Sequence, residues 1–341
     1  MLYFITNREI LGEYPNETIR EDGGEHAGDN LRFGTYDIES RKFELFSEPG
    51  DESDLAYSRA NAEEATSLKG STRFFTSMYR HLRDNVKDQV EQRHDVLFFI
   101  HGFDTNLDGI RNNFEDLNRR YVLNPDSPIK HIVIFTWPGK SHLLPLHYRN
   151  DKKDAIRSGE TLARCVKKMM AFFKFVLGKG KHEACGGNIH LMVHSMGNRV
   201  LKHMMLELER QGKLLPEMFK EILLMASDVK HDIFEPGQSF HNLTDLGRRV
   251  HVYFHENDRV LDISKYTKNF SNRLGRYGRK RIDPTFPNII DANVTKTDDD
   301  PDVSRKADLL NHWYYYSSTE VVKDVIRVLK GGDSVLSLIH I

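Results

Sequence analysis

The chain has 341 residues, 39% hydrophobic and 29% charged, and its apolar residues gather into short dense runs, so it has the means to bury a sizeable core. Lys plus Arg number 49 against 50 for Asp plus Glu, a formal net charge of -1, and so no long-range field draws in nucleic acid or an anionic membrane surface. Cys165 and Cys185 fit neither a disulfide framework nor a zinc spacing, no run of 18 apolar residues occurs, and the first residues lack the marks of a secretory leader, which together predict a soluble cytoplasmic protein with no transmembrane segment.

In chain order, residues 2–6, 31–38 and 42–46 alternate like strands of an antiparallel lead-in. Residues 48–64 read as an acidic surface loop, and 68–92 have the period of an amphipathic helix. Buried strands are then expected at 96–100, 132–136, 189–193, 222–226 and 250–254, each nearly continuous in apolar residues, with crossover helices at 106–121, 151–177 and 196–211. A short strand at 288–290, an acidic loop at 297–302 and a helix at 318–330, ended by Gly331-Gly332, follow. The pattern predicts an α/β fold with a mostly parallel, doubly wound sheet. Residues 1–92 lead into the sheet and form one domain with the core at 93–332, and 333–341 are a tail.

The most informative segment is Ile189-His190-Leu191-Met192-Val193-His194-Ser195-Met196-Gly197-Asn198, a buried strand that runs into Ser195 and directly on into a helix. Such a turn exposes the serine Oγ at the carboxyl end of the sheet and aims a helix amino terminus at any oxyanion formed beside it. Val193 stands where the G-x-S-x-G pattern has its first glycine, and the bland alternative is a serine that caps a helix. Acyl transfer also needs two convergent backbone N–H donors. The strand that ends in His101-Gly102-Phe103 supplies one at Phe103, and the residue after the nucleophile, Met196, supplies the other, while His101 is expected to hold the loop.

In serine hydrolases of this architecture the acid and then the base follow the nucleophile in the chain. Asp258, in the polar loop after the strand at 250–254, is the candidate acid, and Asp228, after the preceding strand, is its competitor. His312 is the sole histidine between His255 and His340 and is the candidate base, so activity should be lost in acid.

The chain resembles the branch of the α/β-hydrolases long known as a domain of unknown function, on His101-Gly102-Phe103, Trp137-Pro138 and His194-Ser195-Met196-Gly197-Asn198. The likeness also takes in Tyr148 to Ser158, Ala226 to Val229 with Phe234, Asn257-Asp258, and His312 with Tyr315. It implies the α/β-hydrolase fold and the Ser195, Asp258, His312 triad, and leaves the substrate open. The expected activity is hydrolysis of a carboxylic ester of a small acyl compound, lipid-like ones included, with amide or thioester hydrolysis, or a silent binding module, as alternatives.

His251 and His255 are too far apart along a strand, at roughly 13 Å, to share a metal, and the paired glycines at 23–24, 186–187 and 331–332 form no phosphate loop, so neither a metal nor a nucleotide cofactor is expected. Lys268, Arg273, Arg276, Arg279, Lys280 and Arg281 read as a solvated helix and loop, with recognition of an anion as the alternative. The apolar stretch 141–148, within 139–150, is either a lid or a wall packed on the following helix.

Overall fold

The computed structural model describes residues 2–13, 16–21, 31–46, 70–88, 94–103, 105–139, 145–178, 187–212, 217–262, 271–297 and 310–337. The amino-terminal part holds β1 (Leu2–Thr6), a small hairpin of β2 (Ile10–Leu11) and β3 (Thr18–Ile19), β4 (Arg32–Asp37), β5 (Lys42–Phe46) and α1 (Gly70–Asp88). Then come β6 (Asp95–Ile100), α2 (Leu107–Leu117), β7 (Ile129–Thr136), α3 (Pro145–Gly178), β8 (Ile189–His194) and α4 (Gly197–Arg210). The chain continues through β9 (Phe219–Met225), β10 (Gly247–Phe254), β11 (Ile289–Asn293) and a terminal helix, Thr319–Leu329, capped by Ser318.

Among the described residues the strands form one nine-stranded sheet in the order β11-β10-β9-β8-β6-β7-β1-β4-β5. All pairings from β11 to β1 are parallel, and β1–β4 and β4–β5 are antiparallel. The lead-in is therefore only partly antiparallel, because β1 adds to the parallel core beside β7, from Leu2 opposite Ile132 to Thr6 opposite Thr136. An α/β-hydrolase fold accounts for this arrangement.

Strands this apolar must be covered on both faces. Along β6, Val96, Phe98 and Ile100 pack into a core with Phe74, Phe75, Leu162, Val166, Val200 and Met204. Leu97 and Phe99, on the other face, join Ile110, Phe114, Val321 and Val325. From β6 the chain moves outward to β7 and then returns to β8 on the other side of β6. The strand order thus reverses direction between β6 and β8, and the carboxyl ends of the strands at such a point are the usual place for a ligand in an open α/β sheet.

Helix α2 ends at Leu117 and tightens into one π-helical turn, Asn118–Val122. Helix α3 begins at Pro145, a favoured first helical residue, earlier than the polar pattern from 151 predicts. Of the stretch considered as a lid, residues 145–148 are thus helical, while 140–144 lie outside the described residues, as do 48–64 and 298–302. The β2–β3 hairpin escapes the sequence reading because two-residue strands carry no period.

Candidate active site

Ser195 stands where β8 turns into α4, with φ of 51°, a left-handed conformation that few non-glycine residues adopt. Local contacts impose it: Ser195 N–H donates to the Met225 carbonyl at 2.9 Å, and the Ser195 carbonyl accepts from Asn198 and Asp228 N–H, each at 3.1 Å. The turn is tight enough to require Gly197, where a Cβ would lie 2.6 Å from the His101 carbonyl oxygen and 2.8 Å from that of Ile100. At Gly102 a Cβ would lie 3.0 Å from Ser195 Cβ, so the loop after β6 runs against the serine. Met196 N–H, at the head of α4, donates to no protein acceptor among the described residues. Phe103 follows Gly102 in the apposed loop and is half-buried against the core.

That loop is fixed by His101. Its Nδ1–H donates to the Gly102 carbonyl at 2.7 Å, its Nε2 accepts from Trp137 N–H at 3.0 Å, and Trp137 Nε1–H returns a bond to the His101 carbonyl at 3.0 Å. The two rings stack within 3° of parallel. Burial, and secondly the charge of Arg8, hold the His101 imidazole well below its ordinary pKa, so it serves as a neutral strut. Arg8 is itself buried and donates to Thr136 Oγ1 at 2.7 Å and to the Thr105 carbonyl at 2.6 Å, beneath the same loop. The sequence offers no signal for Arg8, because its role exists only once β1 is set beside β7.

On the far side of the serine, Asp258 and His312 meet. His312 Nδ1 and Asp258 Oδ2 are 2.6 Å apart, and both side chains are buried. Asp258 also accepts the Leu261 N–H at 2.9 Å through Oδ1, which fixes the carboxylate by a helix-cap bond. His312 reaches this position from a turn in which Asn311 has φ of 53°. Ser195 Oγ and His312 are not hydrogen-bonded to each other in this conformation, a common state before substrate tightens the contacts.

Five bonds hold the segment that carries His312. His194 Nε2–H donates to the His312 carbonyl at 3.1 Å, and the two rings lie 4.7 Å apart. Tyr314 Oη accepts from Ala226 N–H at 2.7 Å and donates to the Tyr253 carbonyl at 2.8 Å, which pins the segment to the ends of β9 and β10. From the other face, Tyr121 Oη donates to the Tyr315 carbonyl at 2.5 Å and Arg120 Nε to that of Tyr316 at 2.8 Å. The π-helical turn after α2 supplies both of these donors. Burial, then the proximity of His312, keeps the His194 imidazole well below its ordinary pKa. Neither His194 nor Tyr314 stands out in the sequence as a support of the base, since both need the fold to bring them there.

Asp228 does not approach His312. Its carboxylate instead pairs with Arg199 Nε at 3.2 Å and Arg273 Nε at 3.3 Å. The expectation of a solvated basic stretch fails at three of its arginines. Arg273 and Arg279 are buried, Arg279 pairs with Asp291 at 3.1 Å, and Arg276 pairs with Asp262, while Lys268 lies outside the described residues. Charge counting along a sequence misses such partners because each is brought in by a different strand end. His251 pairs with Glu221 at 3.1 Å and His255 Nδ1 accepts the Asn257 N–H at 3.1 Å. Among the described residues no group of three or more His, Cys, Asp or Glu side chains is arranged to hold a metal, and no helix is long and apolar enough to cross a membrane.

A family model described as an alpha/beta hydrolase of unknown function, DUF900, matches residues 76–329, a span that holds Ser195, Asp258 and His312. Neither the curated proteins nor the solved structures yield a match.

Proposed function

Because the chain belongs to the alpha/beta hydrolases of unknown function, DUF900, we propose that it is a serine hydrolase that cleaves a carboxylic ester of a small molecule through an acyl-enzyme. Ser195 is the nucleophile. His312 accepts its proton through Nε2 while Nδ1–H stays on Asp258, and later returns that proton to the leaving alcohol. Met196 and Phe103 N–H receive the negative charge that develops on the carbonyl oxygen of the tetrahedral intermediate. Water, activated in turn by His312, then releases the acid and frees Ser195.

The observation that carries this reading is the 2.6 Å contact between His312 and Asp258, buried in loops that close over the strained Ser195 turn. A carboxylate bound to Nδ1 fixes the tautomer in which Nε2 is the acceptor, which is the form a general base requires. The unengaged Met196 N–H beside the serine supports the same chemistry. A fluorophosphonate probe is expected to label the wild type and not Ser195→Ala, and a panel of ester, thioester and amide substrates identifies the bond cleaved. Labelling that survives the substitution places the nucleophile elsewhere.

A further inference from the structure

Beside Ser195, five cationic side chains converge from four separate parts of the chain. Arg199, Lys202 and their neighbour His203 lie on the first two turns of α4, and Lys152 on α3. Lys230 and Arg273 face each other across a β-bridge between the loop after β9 and the segment before Leu274. The place of Lys152 follows from helical register: it lies seven residues before Gly159, on the same face, and a Cβ at Gly159 would be 2.5 Å from His203 Cβ and 2.8 Å from the Val200 carbonyl. Both helices run away from the carboxyl ends of their strands, so two turns back along α3 brings Lys152 level with the head of α4 and with Asp228. Asp228 in turn donates its N–H to the Ser195 carbonyl.

Among the described residues, Asp228 acts on Lys152 and Asp232 on Lys202, and the cations named here outnumber these two carboxylates, although the whole chain is nearly neutral. Asp228 is shared by Arg199 and Arg273, whereas Lys152, Lys202 and Lys230 form no ion pair among the described residues. Burial lowers the pKa of Lys152 and Lys202, and the charge of Arg199 lowers both further. Burial and the same cations push His203 down to about 4. The head of α4 carries no acidic residue in its first turn and instead bears Arg199, against the preference set by the helix dipole. Packing like charges at the positive end of a helix opposes folding, and a sequence that breaks local rules in this way does so at functional sites.

We infer that these cations form a subsite for an anionic group, a carboxylate or a phosphate, on the substrate whose ester Ser195 cleaves. The inference rests on the serine-hydrolase reading and names the class of ester it acts on. Arg199, Lys202 and the helix dipole attract the anion from α4, Lys152 from α3, and Lys230 from the loop after β9, which orients the reactive carbonyl toward Ser195. The acyl-transfer chemistry is unchanged, since the anionic group is bound and is not transformed.

The test compares mono-(4-nitrophenyl) glutarate with its methyl ester, which has the same chain and leaving group but no charge. For the wild type, kcat/KM is expected to favour the carboxylate by about tenfold or more at low ionic strength, and the preference should shrink in ~0.5 M NaCl. In Lys152→Gln/Lys202→Gln the ratio should fall by about tenfold, and Lys230→Gln, at an exposed position, should lower it less. Calorimetric titration with glutarate and with inorganic phosphate, for wild type and double variant, reads the subsite without turnover and tells carboxylate from phosphate. Hydrolysis of both esters at equal efficiency, or anion affinity that is absent or unaltered in the double variant, overturns the inference. If fluorophosphonate fails to label Ser195, the hydrolase reading falls by itself, and the calorimetry still decides whether the cations hold an anion.

Discussion

The same substitution made at two buried aspartates separates the two loops that competed for the role of acid. In Asp258→Asn the new side-chain oxygen can keep the cap bond to Leu261 N–H, so the local fold has little reason to change. Its amide NH2, however, faces His312 Nδ1, which must then act as acceptor and send the imidazole proton to Nε2. With that nitrogen protonated, Ser195 has no base. The expected loss in kcat is roughly 10³–10⁴-fold, or about 4–5.5 kcal/mol of transition-state stabilisation, with little change in unfolding temperature. In Asp228→Asn the imidazole is untouched, but a carboxylate shared by Arg199 and Arg273 is lost. The Arg273 side chain is only 5% exposed, and breaking a buried pair costs about 3–5 kcal/mol, so Tm should fall by roughly 5–10 °C. Ester turnover per folded molecule, normalised by circular dichroism, and thermal melts of both variants check this contrast. If Asp228→Asn lost the thousandfold in kcat while Asp258→Asn kept more than a tenth, the assignment of the acid would be refuted.

Two further outcomes follow from the supports of the site. Tyr314→Phe removes the hydroxyl that joins Ala226 N–H to the Tyr253 carbonyl, and a direct bond of 3.3 Å between those groups remains. Stability should drop by about 1–2 kcal/mol, and kcat should fall with KM nearly constant, as steady-state kinetics would show, whereas an unchanged kcat would mean that the clamp does not position His312. His101, His194 and His203 all have imidazoles depressed in the folded protein, the last to about 4. Below the ordinary value of about 6.5 the unfolded chain binds protons that the folded one does not, so stability should decline as pH falls from there toward 4. Denaturant melts at several pH values measure the slope; His203→Gln should make it shallower, and a slope of zero or opposite sign would contradict the depressed values.

The serine turn was legible because one continuous segment contains all of it: an apolar strand, Ser195, and Gly197 where backbones must touch. Asp258 and His312 were legible by their order along the chain, each after a later strand. Asp228 remained a competitor because its real partners, Arg199 and Arg273, become neighbours only when the ends of β8 and β9 meet the segment before Leu274. For the same reason the arginines from 273 to 279 read as a solvated run, although the fold buries two of them against carboxylates from elsewhere. Periodicity reports which face of an element is buried, and it says nothing about which polar partner waits there.

The choice of histidine for two of the struts has a physical reason that the geometry makes explicit. His101 and His194 each lie within the shell around Ser195, one supporting the Gly102 loop and the other the His312 carbonyl. A lysine or arginine in either place could donate those bonds, but would add a permanent charge close to His312, which on this mechanism must become cationic in the transition state. A neutral imidazole donates at one nitrogen and can accept at the other, as His101 does toward Gly102 and Trp137, and burial keeps it neutral. Positive charge is instead gathered at Lys152, Arg199, Lys202 and Lys230, on the α3–α4 side of the serine. The side chains around Ser195 thus divide by charge: neutral imidazole struts at the loop and segment that, on this mechanism, flank the proton transfer, and gathered cations where an anion would be held.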